Sequence, residues 1–225
     1  MNGYVRILLL IIIDLLSFKL GGFWFGIAAT GIVVFRILSI IGFTRSPVIY
    51  RGFFKDGICF TKDHLGSYSN LHEAFKEALK LIEQFKLKDY VVIGIYYDQP
   101  GEVEESKLRS SVGIYKKNMT KIAEQIPEDL EKYCESKGYN KNELPMADSL
   151  YSNWDYINVF SMMLGIYKFY NLLKQNLKDN FFKKQFRVDE KKIKVSIETY
   201  EANNIINFYV PFINGEKFMI FKKDK

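Results

Sequence analysis

Cysteine and histidine are scarce, with two of each among 225 residues. Cys59 and Cys134 lie far apart, without the spacing of a disulfide framework or a zinc site. Neither His64 nor His72 has a Cys or His partner at ligand spacing, so no metal is expected. A phosphate loop, a nucleophile elbow and a dinucleotide fingerprint are all missing, and no cofactor is expected. Cys134 falls on a short polar segment with no histidine nearby to activate it. The net charge of +6 is spread along the chain. No basic block alternates with aromatic residues as in nucleic-acid binders, so direct nucleic-acid binding is not expected. No Pro/Gly/Ser-rich linker interrupts the residues after Arg45.

Charge is scarce in one place above all. From Ile7 to Phe43 only Asp14, Lys19 and Arg36 are charged. A bilayer core of about 30 Å needs about 20 apolar residues in a helix, so residues 1–43 read as a membrane anchor with its span within 4–41. Two placements compete. A helix from Tyr4 to Phe25 puts Asp14 near mid-membrane, where its cost of about 2.5–3.5 kcal/mol offsets much of the apolar gain. A helix from Leu20 to about Ile41 holds an uncharged run between Lys19 and Arg36, two cations long enough to reach headgroups. A hairpin using both halves leaves less length per arm, and a buried pair of core helices is the bland alternative. Arg36, Arg45, Arg51 and Lys55 follow the apolar run and only Arg6 precedes it, which places the following domain in the cytosol. The sequon Asn118-Met119-Thr120 tests that orientation, because its glycosylation requires a lumenal domain.

The rest, 46–225, is long enough for one domain with a sizeable core. Val48–Phe60 leans to strand, with a turn at Lys55-Asp56-Gly57. Asn70 reads as an N-cap for a helix carrying Leu71, Phe75, Ala78, Leu79, Ile82 and Phe85 at three- and four-residue spacing. Tyr90–Tyr97 and Leu108–Tyr115 are strands on either side of the turn signal Asp98-Gln99-Pro100-Gly101. After a short helix, Glu128–Ser136, the pattern repeats: a poor strand at Glu143–Tyr151, a long helix at Asp155–Lys178, and a hairpin of Ile193–Tyr200 with Ile205–Phe212 about Asn203-Asn204. Phe218–Phe221 is expected as a last edge strand. The fold class is therefore α+β, an N-terminal transmembrane helix followed by two β-α-β-β repeats whose junction makes a cleft suited to small molecules.

Individual residues in this frame are mostly structural in expectation. Glu102, Glu104 and Glu105 make a solvated acidic loop, and Asp98 stabilises the turn before Pro100. Tyr96 and Tyr97 point to opposite faces of their strand, so one of them lines the cleft or core. Glu198 sits in an alternating strand, and its bland reading is a solvent-facing position.

Several stretches together carry a resemblance. Tyr50-Arg51-Gly52 opens the domain, and Ile95-Tyr96-Tyr97-Asp98-Gln99-Pro100 is followed by Arg109-Ser110-Ser111-Val112-Gly113. Ile197-Glu198-Thr199-Tyr200 leads to Phe208-Tyr209-Val210-Pro211-Phe212 near the end. Their order and spacing resemble the gyrase-inhibitor-like (GyrI-like) domain. With the apolar segment in front, the chain resembles the testis-expressed protein 264 family of endoplasmic-reticulum autophagy receptors. That resemblance implies a single-pass, cytosol-facing adaptor of the endoplasmic-reticulum membrane, extending to the autophagosome membrane and nuclear envelope. Its implied partners are autophagy ubiquitin-like modifiers and an AAA ATPase. It further implies that Glu198 points into the cleft; Tyr97, from the alternation of its strand, is the companion cleft candidate. A carboxylate in an apolar cleft tends toward a raised pKa and can hold a cation or act as a general base. A small-molecule binder or weak hydrolase using Glu198 is the competing function, although no enzyme activity is the first expectation. The family's modifier-docking motif lies in a long acidic tail, whereas this chain stops at Lys223-Asp224-Lys225. The internal match is Trp154-Asp155-Tyr156-Ile157, with Trp154 and Ile157 as the partner-binding candidates. Such a motif docks by adding a strand to its partner, which needs an extended, accessible segment, whereas Trp154 and Ile157 fall at the start of the expected amphipathic helix, where they face the core.

Overall fold

A computed structural model describes residues 3–117 and 126–222. The sequon at 118–120 and the terminal 223–225 lie outside the described residues. The chain divides into two compact units, residues 1–48 with 154–174, and 49–153 with 175–225.

The first unit holds helix α1 (Gly3–Ile41) and, in residues 159–174, most of the long helix that follows the sixth strand. Its backbone leaves the helix at Gly22 (φ 77°, ψ 176°), a conformation that only glycine adopts without strain. The break interrupts the Tyr4–Phe25 placement and opens the other one. The 20 residues from Gly22 to Ile41 are long and apolar enough to cross a membrane.

The second unit is built on an eight-stranded antiparallel sheet in the order β1-β6-β8-β7-β3-β4-β2-β5. In chain order these are β1 (Tyr50–Phe54), β2 (Gly57–Leu65), β3 (Tyr90–Tyr96), β4 (Arg109–Lys117), β5 (Asn140–Leu144), β6 (Ala147–Asp155), β7 (Ser196–Glu201) and β8 (Ile205–Pro211). Helix α2 (His72–Gln84) follows β2, α3 (Glu128–Ser136) follows β4, and α4 (Val159–Lys178) and α5 (Asn180–Phe186) follow β6. The two expected β-α-β-β repeats are β2-α2-β3-β4 and β6-α4-β7-β8, joined in the sheet by β3 against β7. Each is preceded by a short strand that pairs with the other repeat. β1 lies on β6, with Phe53 opposite Asp148, and β5 lies on β2, with Asn142 opposite Cys59. The repeats therefore exchange their edge strands.

One sheet face buries Cys59, Ile93, Ile95, Tyr97, Tyr115 and Ile197 against Phe218. The other buries Phe60, Val92 and Ile114 under Ala78 and Leu81 of α2 and Leu130 and Cys134 of α3. The alternation of β3 and β4 divides their apolar residues between these two cores.

Several local expectations change. The segment Val48–Phe60 splits into β1 and β2 at the expected turn, and Glu143–Tyr151 splits likewise into β5 and β6 around Pro145 and Met146. A 3₁₀ turn at Tyr68–Leu71 precedes α2, so Ser67 caps the entry and Asn70 does not. Helix α4 starts at Val159 because Asn158 Oδ1 accepts the Ser161 amide at 2.8 Å, leaving residues 154–155 in β6. Helix α5 has its own cap, Asp179, which accepts the Phe181 amide at 2.8 Å. Phe218–Phe221 forms no strand: a 3₁₀ turn at Gly215–Phe218 delivers Phe218, Ile220 and Phe221 onto the first core instead.

Candidate functional site

The two repeats meet where Gly94 of β3 stands opposite Glu198 of β7. Paired residues in an antiparallel sheet share a face. Hence Glu198 lies with Gly94 and Val112, flanked on one side by Tyr96 and Ser110 and on the other by Tyr200 and Val92. This is the face that carries α2.

Glu198 is 1% exposed. Its Oε2 accepts the hydroxyls of Tyr96 at 2.9 Å and Tyr200 at 2.6 Å. Two further rings close around it. Phe75 of α2 meets Tyr200 edge-on at 5.0 Å, and Tyr68 meets Tyr96 edge-on at the same distance. All four rings are partly exposed. The carboxylate thus heads an aromatic shell, and in this structure the shell is closed by its own phenols.

Gly94 forms the floor. A Cβ there would stand 3.0 Å from the Tyr96 hydroxyl and 3.2 Å from Phe75 Cζ, so any side chain would push against the rings. Nearby Ser110 is fully buried, and its hydroxyl has no hydrogen-bond partner among the described residues. It adds hydrogen-bonding capacity to the same face.

One end of the shell is fixed by a charged turn. Asp98 accepts the Arg109 backbone amide at 2.8 Å and both Nε and an Nη of its guanidinium at 2.9 and 2.7 Å. The Tyr68 hydroxyl lies 2.8 and 2.9 Å from the carbonyl oxygens of Asp98 and Arg109, and burial pushes its pKa up to about 12. Asp98 therefore holds the ring that packs on Tyr96. Hydrogen bonding to Arg109 keeps the Asp98 carboxyl below its ordinary range. A depressed carboxylate contributes stability above its unfolded pKa, lost as pH falls through the folded value. Asp98→Asn is expected to cost about 2–3 kcal/mol near neutrality and to flatten the fall of stability on the acid side, as read from urea unfolding at a series of pH values. Identical acid limbs for variant and parent would overturn this assignment.

Tyr97 lies on the opposite face from Glu198, buried in the first core, with its hydroxyl 2.8 Å from Ser111 Oγ. Tyr96 takes the place expected for it. A small hollow of about 60 Å³ lined by Phe54, Lys55, Tyr115, Lys117, Thr199 and Tyr209 is also on that opposite face and is separate from Glu198. Trp154 is not at the start of a helix but at the end of β6, 1% exposed, and its indole donates to the Ser161 carbonyl at 2.9 Å. The backbone amide of Ile157 donates to Ser161 Oγ at 2.8 Å. The pair does not form an extended, accessible ligand segment. Sequence reasoning missed Tyr68, Phe75, Gly94 and Tyr200 as site residues. The lone glycine within an apolar strand was the available signal, since such a glycine marks close approach.

No protein-family model matches this chain, nor does any curated protein. Among solved structures, the C-terminal domain of EcmrR aligns with 73% of this chain and 96% of its own, at 10% identity and a TM-score of 0.44. SAV2435 bound to tetraphenylphosphonium aligns over 73% and 93%, at 8% identity and 0.44. A hydrolase from Listeria innocua aligns over 74% and 91%, at 11% identity and 0.40. At such values the likeness assigns this chain neither a family nor a ligand.

Proposed function

We propose that this chain is a membrane-tethered, GyrI-like binding protein for small organic cations, with α1 as its tether and the shell around Glu198 as its recognition site. The observation that carries the reading is a carboxylate 1% exposed among four aromatic rings. Such a site gains most from a ligand that brings positive charge to the carboxylate and apolar surface to the rings. Ring faces attract cations by up to about 2 kcal/mol when water is excluded. The partly exposed Tyr96 and Tyr200 are the way in: a ligand displaces their hydroxyls from Oε2 and stacks on their rings. Binding is favoured over weak hydrolysis because Oε2 is already engaged by two phenols. The autophagy-receptor reading has no carrier among the described residues, since Trp154 is buried and Ile157 is tied to the cap of α4.

Calorimetric titration of the full chain in detergent with tetraphenylphosphonium, against the neutral triphenylphosphine oxide, tests the reading. Saturable binding of the cation, about tenfold or more tighter than the neutral compound, is expected. Equal binding of both, or none of several lipophilic cations, would reject it.

A further inference from the structure

The outward stripe of α4 changes character part-way along. Val159 (69% exposed), Phe160 (61%), Met163 (59%) and Tyr167 (68%) stand in solvent over its first turns. Beyond them the outward positions are Asn171, Lys174, Gln175 and Lys178. Apolar residues at three- and four-residue spacing on an exposed face need a covering. The apolar part coincides with the portion of α4 that forms one compact unit with α1.

Within that unit, α4 is clamped to the end of α1. Lys168 Nζ donates to the carbonyl oxygens of Gly42, Phe43 and Arg45 at 3.1, 2.6 and 2.5 Å, an ammonium at the negative end of a helix. Burial and the nearby Arg45 lower the Lys168 pKa. Arg45 stacks over the Trp154 ring at 4.0 Å and pairs with Asp155 at 3.2 Å. Gly165 packs directly on that ring, where a Cβ would stand 2.3 Å from Cδ1. Residues 42–45 follow directly on Gly22–Ile41, the segment long enough to span a bilayer. If that segment spans, 42–45 lie at the interface. Met163 and Tyr167 are within five residues of Lys168, about 8 Å along the helix axis. Phe43 is 57% exposed beside Lys168. Aromatic rings, long apolar side chains and lysines at one level form the composition of an interfacial belt.

We propose that the first half of α4 is an interfacial helix, with Val159, Phe160, Met163 and Tyr167 embedded at the headgroup–acyl boundary of the bilayer that α1 crosses. This rests on the reading of α1 as a membrane span. Lys168 sets the depth of the stripe, and Lys174 beyond it faces the headgroups and favours anionic lipid.

The test uses the full chain in phosphatidylcholine vesicles with and without phosphatidylserine. Both native thiols are buried, so Met163→Cys, Tyr167→Cys and Gln175→Cys each take a bimane label at one exposed site. Labels at 163 and 167 are expected to be blue-shifted, quenched by doxyl lipids, and several-fold less accessible to iodide than the label at 175. If the chain floats with the vesicles and resists alkaline carbonate while all three labels are equally open to iodide, the interfacial helix is overturned and the span stands. Labels at 163 and 167 shielded from iodide but insensitive to doxyl lipid, with a doubled mass in detergent, would assign the stripe to a second copy and overturn it also. A chain that does not float with the vesicles sinks both readings.

Discussion

Glu198→Gln is expected to weaken binding of a lipophilic monocation by roughly 30- to 700-fold, about 2–4 kcal/mol. The replacement keeps the shape of the side chain and an oxygen able to accept the Tyr96 and Tyr200 hydroxyls, now 2.9 and 2.6 Å from Oε2. What it removes is the charge, which acts where water is excluded and is therefore worth far more than at the surface. Stability should move the other way. An ionised group 1% exposed carries a desolvation penalty that an amide escapes, and exchanging a buried charge for a neutral isostere is often neutral or stabilising. The variant should thus melt at or above the parent temperature while losing the cation, and affinity for a neutral aromatic compound should be unchanged. Retained cation affinity with an unchanged melting curve would remove Glu198 from the recognition role. Loss of affinity together with unfolding would instead make it a structural residue.

Trp154→Ala should produce the largest loss of stability, about 3–5 kcal/mol. The indole is 1% exposed and donates to the Ser161 carbonyl at 2.9 Å. Gly42 and Gly165 both lie against it, each so closely that a Cβ would fall within 2.5 Å of a ring atom. Removing the ring leaves a cavity between two backbones that have no side chain to fill it, and it strips Arg45 of the surface on which it lies. For a chain of this size the melting temperature should drop by about 6–20 °C, read by circular dichroism of the full chain in detergent. A shift below about 2 °C would show that the site collapses without cost and that the ring contributes little. Trp154→Phe should recover part of the loss, since it refills the volume but not the indole hydrogen bond.

These two residues also show what could be read from the chain and what could not. Alternation along β3 places Tyr96 and Tyr97 on opposite faces whatever the fold. Which of them accompanies Glu198 depends on the pairing of Gly94 with Glu198, two residues about a hundred positions apart. A slip of one residue in that register would have exchanged the tyrosines, and no local pattern fixes it. The turn signal after Tyr97 was legible because it is local; that the Asp98 carboxylate instead holds Arg109, eleven residues on, was not. The burial of Trp154 was legible but its secondary structure was not: Trp154-Asp155-Tyr156-Ile157 has helical spacing, and the decision lay in the cap formed by Asn158 with Ser161. The repeats themselves were visible as a recurring order of strands and helices. The exchange of β1 and β5 was not, since their partners lie in the opposite repeat and no local pattern selects them.

That exchange bears on how the chain is made. Synthesis runs from the N-terminus, so α1 and β1 emerge first, yet the partner of β1 is β6, about a hundred residues downstream. At about 5–20 residues per second, some 5–20 seconds separate the two. During that interval the first completed repeat also lacks β5 along the open edge of β2. If α1 is in the bilayer by then, the unfinished sheet is tethered to the membrane, with two unpaired edges open to other nascent copies. Closure by the second repeat thus competes with pairing between neighbours, and slowing elongation between β4 and β6 is the manipulation that should reveal it, as a rise in strand-exchanged dimers.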